Sequence, residues 1–152
     1  MKRILTILAI AAAALLSCEK YEDGKPSKDV RAEFNSMYPS ARDVEWEPDF
    51  GNWKVSFETG NAPNVRDHEA WYDVNGNWLR TETDILPSEM PKAVMDALEA
   101  SEYASPYLQI DDVDFVETPE GDFYQVDVKL AGVEISLDVT ASGIISLSSL
   151  GF

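Results

Sequence analysis

Two amphipathic helical segments, each followed by four segments of strand periodicity, predict an α+β domain. In it, tandem duplicated α-β4 units form one continuous antiparallel sheet with two helices packed on one face. Between Ser27 and Tyr38, Val30, Phe34 and Met37 recur at i, i+4 and i+7, Ser27 is placed to cap the first turn, and Tyr38-Pro39 stops the helix. From Ser88 to Tyr103 the pattern returns in Met90, Val94, Ala97 and Leu98, with Pro91 in the first turn, where a missing N–H costs little.

The strand signal is a period of two. Val44 and Trp46 alternate with acids; Trp53, Val55 and Phe57 alternate with Lys54, Ser56 and Glu58; DHEAWYDV and NWLRTET then flank Asn75-Gly76. The second half repeats the order with Val113 and Phe115, Phe123 to Leu130, Val133 to Val139, and Ile144 to Leu147. The halves align as Val30 with Val94, Phe34 with Leu98, Pro39 with Pro106, Trp46 with Phe115, Trp53 with Tyr124, and Tyr72-Asp73 with Leu137-Asp138. One apolar sheet face is covered by the helices, and the other is expected to stay wet, acidic and dotted with aromatics. The organisation is therefore residues 87–152 as a second α-β4 repeat after a first at 27–86, behind a tether at 18–26.

The N-terminus gives an address. In MKRILTILAIAAAALLSC, Lys2 and Arg3 precede an uncharged run of 13 residues from Ile4 to Leu16. A membrane-spanning helix needs roughly 20, so residues 1–17 are read as a signal peptide. The Leu15-Leu16-Ser17-Cys18 ending resembles the lipobox of bacterial lipoproteins, which implies cleavage between Ser17 and Cys18 and acylation of Cys18. Cys18 is also the one cysteine, so no internal disulfide competes for it. Acyl chains in a leaflet contribute about 0.8 kcal/mol per methylene, which makes the membrane itself one partner. The expected location is the envelope, lipid-anchored at the outer membrane, on its periplasmic or its surface side. The segment EKYEDGKPSK after the cysteine is polar, contains Gly24 and Pro26, and reads as the tether.

Charge narrows the partners. The chain carries 28 acidic and 12 basic residues, a net charge of −16; loss of Lys2 and Arg3 with the signal leaves 10 basic residues and a mature charge of −18. Such acidity repels phosphate backbones, so no nucleic-acid role is expected.

The residues F34…Y38-P39-S-A41…V44-E-W46, W53-K-V55-S-F57 and W71-Y72-D73-V-N-G76-N-W78…T81-E82…I85-L-P87 together resemble the β-lactamase-inhibitor-like, PepSY-like lipoproteins of the bacterial envelope. The resemblance covers about residues 26 to 150. It implies tandem α-β4 units, no known activity, no established catalytic residues, and a role in binding or inhibiting other proteins; no cofactor is expected. Ser142-Gly143-Ile144 replaces the Asn-Gly…Trp turn in the second half, which is assigned mainly by spacing.

Chemical sites are few. Asp73, Asn75, Asn77 and Asp84 occupy calcium-loop positions 1, 3, 5 and 12, but Trp78 stands where that loop needs its glycine. Asn75-Gly76 instead predicts a type I′ hairpin turn. His68, the one histidine, has no nucleophile motif and no second soft ligand, so it is read as a surface residue outside any triad or metal site. Asp111, Asp112, Asp114, Glu117, Glu120 and Asp122 are read as a solvated strand face. The binding candidates are aromatic: Trp71, out of phase with Tyr72, is expected on the open sheet face, where Trp78 or Tyr124 could complete a patch for a protein partner. The alternative is a calcium- or glycan-binding module, and catalysis is not expected.

Overall fold

A computed structural model describes residues 20–21, 24–104 and 106–149; the expected signal segment, Ser17 and Cys18 lie outside the described residues. Among the described residues nine strands form one sheet in sequence order: β1 (Lys20–Tyr21), β2 (Arg42–Asp49), β3 (Asn52–Thr59), β4 (Arg66–Tyr72), β5 (Trp78–Asp84), β6 (Ile110–Glu117), β7 (Phe123–Leu130), β8 (Val133–Val139) and β9 (Ile145–Leu147). Helix α1 (Lys28–Met37) precedes β2, and α2 (Lys92–Ala100) precedes β6.

All neighbours are antiparallel except β1, which pairs in parallel with β2 through Lys20–Glu45 and Tyr21–Trp46. The sheet is therefore mixed, and part of the segment expected to be a tether belongs to it. Tyr21 packs against the core, Lys25 Nζ lies 4.6 Å from the Tyr21 ring centroid, and Pro26 is buried. An aromatic and a proline ring give this polar stretch enough apolar surface to dock.

Helix α1 begins where Ser27 Oγ accepts from Val30 N at 3.3 Å, satisfying one of the free amides of the first turn. The second helix is shorter than its apolar period suggests. Its expected span divides into a 3-10 turn at Pro87–Glu89, α2 itself, and a second 3-10 turn at Glu102–Ala104. Pro91 sits just ahead of α2 and not inside it, so its ring interrupts what would have been one helix.

Each helix has its own core. Val30 and Phe34 pack with Val44, Trp46, Val55, Phe57, Ala70 and Tyr72. Phe34 meets the rings of Trp46, Phe57 and Tyr72 edge-on at centroid distances of 5.3, 5.1 and 6.4 Å, the arrangement the aromatic quadrupole favours. Met90, Val94 and Leu98 pack with Val113, Val126, Val128, Leu137 and Val139. The register carries one face across the join: Ala70 opposes Thr81, Thr83 opposes Phe115, and Phe115 opposes Tyr124, which packs on the second core. Both helices thus lie over the same side of the sheet. Among the described residues the two cores share no residue, and the strands that carry them join where β5 pairs with β6, from Thr81–Glu117 to Asp84–Asp114.

Candidate functional site

The helix-free face is built by the residues that alternate out of the two cores. Glu45 and Glu47 on β2, Lys54, Ser56 and Glu58 on β3, Asp67, Glu69 and Trp71 on β4, and Arg80, Glu82 and Asp84 on β5 share it. It continues through Asp112, Asp114 and Val116 on β6 and Phe123, Gln125 and Asp127 on β7. Its few cations are engaged. Lys54 Nζ reaches Glu47 at 2.5 Å and Glu69 at 3.1 Å, and Arg80 Nε reaches Glu82 at 2.6 Å.

Trp71 is on this face as its phase predicts, yet only 5% exposed. Its indole N–H donates to Asp49 Oδ2 at 2.7 Å, and the Arg80 guanidinium covers its ring at 3.6 Å. The other two candidates are on the opposite side. Trp78 opposes Tyr72, packs against the first core and donates its indole N–H to Thr81 Oγ1 at 2.9 Å, while Tyr124 packs against the second core. The three aromatics therefore form no common patch. For Trp78 the reason is a register shift between β4 and β5, which returns it to the helix side although Arg80, two residues on, faces away.

Near mid-sheet the open face holds a hollow of ≈ 430 Å³, with Glu58, Asp67, Glu69, Glu82, Asp84 and Asp114 among its lining residues. Asp84 stands directly opposite Asp114, and Asp112 opposite Asp127, so like charges face each other across strands. Burial, followed by the fields of Asp112, Glu82, Asp84 and Asp127, pushes the Asp114 carboxyl up to about 7. Burial also raises Glu82, against the pull of Arg80. The six acids expected on one strand face are divided: Asp111 binds Lys129 at 2.5 Å, Asp112 and Asp114 join the open face, Glu117 turns to the helix side, and Glu120 and Asp122 are exposed in the following turn. Among the described residues no group of acids, histidines or cysteines is arranged to hold a metal ion.

The calcium-like loop is a turn satisfied from within. Asp73 Oδ1 accepts from the amides of Asn75 and Asn77 at 2.8 and 2.9 Å, and Oδ2 accepts from Asn77 Nδ2 at 2.7 Å. The turn is not type I′. Gly76 N donates to Asp73 O at 3.1 Å, which makes Val74 and Asn75 the central residues, and only Gly76 has positive φ. That pattern belongs to a turn followed by a glycine bulge.

His68 is half-buried, paired across strands with Phe57 on the helix side of the sheet. It stacks on Phe57 at 4.9 Å, lies 2.7 Å from Thr59 Oγ1 and 2.9 Å from Thr83 Oγ1, and burial lowers its pKa, leaving a neutral ring bound to two hydroxyls.

One residue was missed entirely. Phe50, at the tip of the β2–β3 hairpin, is 96% exposed with φ 44°, beside Gly51 at φ 85°. Asn, Asp or Gly is the usual occupant of such a position, and an exposed benzyl side chain there gains nothing from packing. The sequence signal was available: Asp49-Phe50-Gly51-Asn52 between two alternating strands is a two-residue hairpin loop.

A family model described as "Putative beta-lactamase-inhibitor-like, PepSY-like" matches residues 51–146. The chain belongs to this PepSY-like family. Three solved structures are similar to this chain in fold. A BLIP-like protein from Bacteroides fragilis is 27% identical, covering 81% of this chain and 84% of its own, with a TM-score of 0.71. A DUF2874 family protein from Bacteroides uniformis is 29% identical over 80% and 86%, with a TM-score of 0.70. A second DUF2874 family protein, from Bacteroides ovatus, is 27% identical over 80% and 85%, with the same TM-score. Among curated proteins none matches.

Proposed function

We propose that this protein is a non-catalytic lipoprotein of the bacterial envelope, anchored through Cys18, that binds and inhibits a protein partner with its helix-free face and the adjoining β2–β3 tip. The observation that carries this reading is Phe50: a wholly exposed aromatic held at positive φ, beside an open sheet face. Backbone strain without a packing benefit is characteristic of binding loops, and a rigid, exposed benzyl group is a natural anchor for an apolar pocket on another protein. The inhibitor-like description of the family points the same way.

The duplication belongs to the same proposal. Gly76 N donates to Asp73 O and Asp73 N to Asn77 O; in the second half Gly143 N donates to Thr140 O and Thr140 N to Ile144 O. Both glycines lie against a helix, Gly76 at Asp29–Val30 and Gly143 at Ala93 and Ala97. This equivalence aligns Tyr72 with Val139, two residues beyond the Leu137 that spacing suggested. Trp53 pairs with Tyr72 as Tyr124 pairs with Val139.

The Asp73 turn lends no support to the calcium alternative, because both Asp73 carboxylate oxygens accept hydrogen bonds inside it. A photoreactive residue at position 50, introduced in the native host, tests the protein-binding reading. The expected result is one crosslinked protein from position 50 and none from position 35, on the solvent side of α1. Equal patterns from both positions, or none from position 50, overturn it.

A further inference from the structure

The two cores have separate members, and the β5–β6 pairing is the part of the sheet that joins them, with the Arg66–Glu89 ion pair as a side-chain link beside it. This join is short, and at the end away from Glu117 it sets Asp84 directly against Asp114. Glu82 and Asp84 from β5, Asp112 on β6 itself and Asp127 from β7 bring their charges to the same place, while Gln125, the residue opposite Asp114 on β7, is neutral. Among the described residues no Lys or Arg lines the hollow: Lys54 is held by Glu47 and Glu69, Arg80 by Glu82, Lys129 by Asp111, and Arg66, which feels the field of Asp84, by Glu89. His68 also lines the hollow; burial lowers its pKa, and its ring nitrogens lie within hydrogen-bond distance of Thr59 and Thr83. Cross-strand carboxylates directly opposed destabilise a sheet when both are ionised, and a proton between them replaces repulsion by a hydrogen bond.

We infer that the β5–β6 join is a proton-operated hinge: a proton on Asp114, directly opposite Asp84, closes this end of the seam, and its loss lets the strands part there and the halves of the sheet rotate. The elevated titration of Asp114 places this change near neutral pH. The hinge is a property of the fold and stands whether or not the open face binds a protein. Charge repulsion acts at the Asp84 end; at the other end the opposed residues are Thr81 and Glu117, where no like charges meet.

The amide of Ile85, which donates to Val113 O at 3.1 Å just past the pair, reports the state of the seam. Hydrogen exchange is followed by NMR on the full chain in detergent between pH 5.5 and 8.5, with each rate corrected for intrinsic base catalysis. Val55 and Val126, inside the two cores, serve as references. The expected result is a corrected rate at Ile85 that rises about tenfold or more through neutral pH while the references hold steady. Asp114→Asn keeps Ile85 protected across the range, and Asp84→Asn does the same by removing the other half of the pair, which keeps the test available if one variant fails to fold. A corrected Ile85 rate that ignores pH in the wild type overturns the hinge. So does a pH response that survives either substitution unchanged, or one that the two reference amides share.

Discussion

The guanidinium of Arg80 lies 3.6 Å above the ring centroid of Trp71 and is held there by Glu82, 2.6 Å from Arg80 Nε. The pair turns an indole on an open sheet face into a buried one. Cation–π stacking of this kind contributes about 1 kcal/mol where it is partly desolvated.

Arg80→Ala uncovers the indole. The expected outcome is a loss of about 1 kcal/mol in denaturant unfolding, a red shift of tryptophan emission and readier quenching by acrylamide. The difference from Arg80→Ala combined with Trp71→Phe assigns these changes to Trp71. Arg80→Lys restores the charge without the planar stack and recovers the shift only in part.

Separate cores predict independent energetics. Phe34→Ala empties the ring site between Trp46, Phe57 and Tyr72 and costs about 3–5 kcal/mol, and Leu98→Ala costs about 2–5 kcal/mol in the second core. Because the two sites share no neighbour, the double variant loses the sum to within about 0.5 kcal/mol, read from urea midpoints. A strongly non-additive result means the cores are coupled.

Gly143 and Gly132 separate backbone strain from crowding. Both have positive φ, 85° and 82°, but a Cβ at Gly143 meets Ala93 O and the Ala97 Cβ at 2.9 Å, whereas at Gly132 nothing lies within 4 Å. Gly132→Ala therefore costs about 1 kcal/mol of strain. Gly143→Ala costs about 1–3 kcal/mol more, because α2 must move off the turn. Thermal unfolding of the two variants side by side gives the difference.

Glu89 makes a contribution that acid removes. Arg66 donates to its carboxylate from both guanidinium nitrogens, and the Leu86 amide adds a bond of 2.8 Å, so the carboxyl is lowered to about 2. A depressed carboxyl stabilises the fold above its ordinary pKa of 4.5, and that contribution fades as pH falls toward 2. Glu89→Gln lowers Tm at pH 6, and the gap to wild type closes progressively below pH 4.5. A gap that stays constant to pH 2 would show that shape, not charge, is what Glu89 supplies.

How much of this was legible follows from what is local. Ser27, Val30 and Phe34 fix α1 by capping and period alone, and alternation correctly sends Trp46, Val55 and Phe57 inward. Tyr124 shares the phase of Val126 and Val128, so its core position was also readable. Trp78 was not, because a register shift between two strands leaves no mark in the period of one. Pro91 is plain in the sequence, but a proline in a first turn is ordinarily tolerated, whereas here it stands ahead of α2 and divides the expected helix. The cover over Trp71 and the crowding at Asp114 depend on which strand lies beside which, and pairing across the join is set by neither strand alone.

The parallel pairing of Lys20 and Tyr21 with β2 has a mechanical meaning for a lipidated Cys18. Two residues of chain span at most about 7 Å, so acyl chains on that cysteine leave almost no leash. The sheet would stand edge-on against the bilayer, docked by its first strand, and a visiting partner would meet it from the side and not from above.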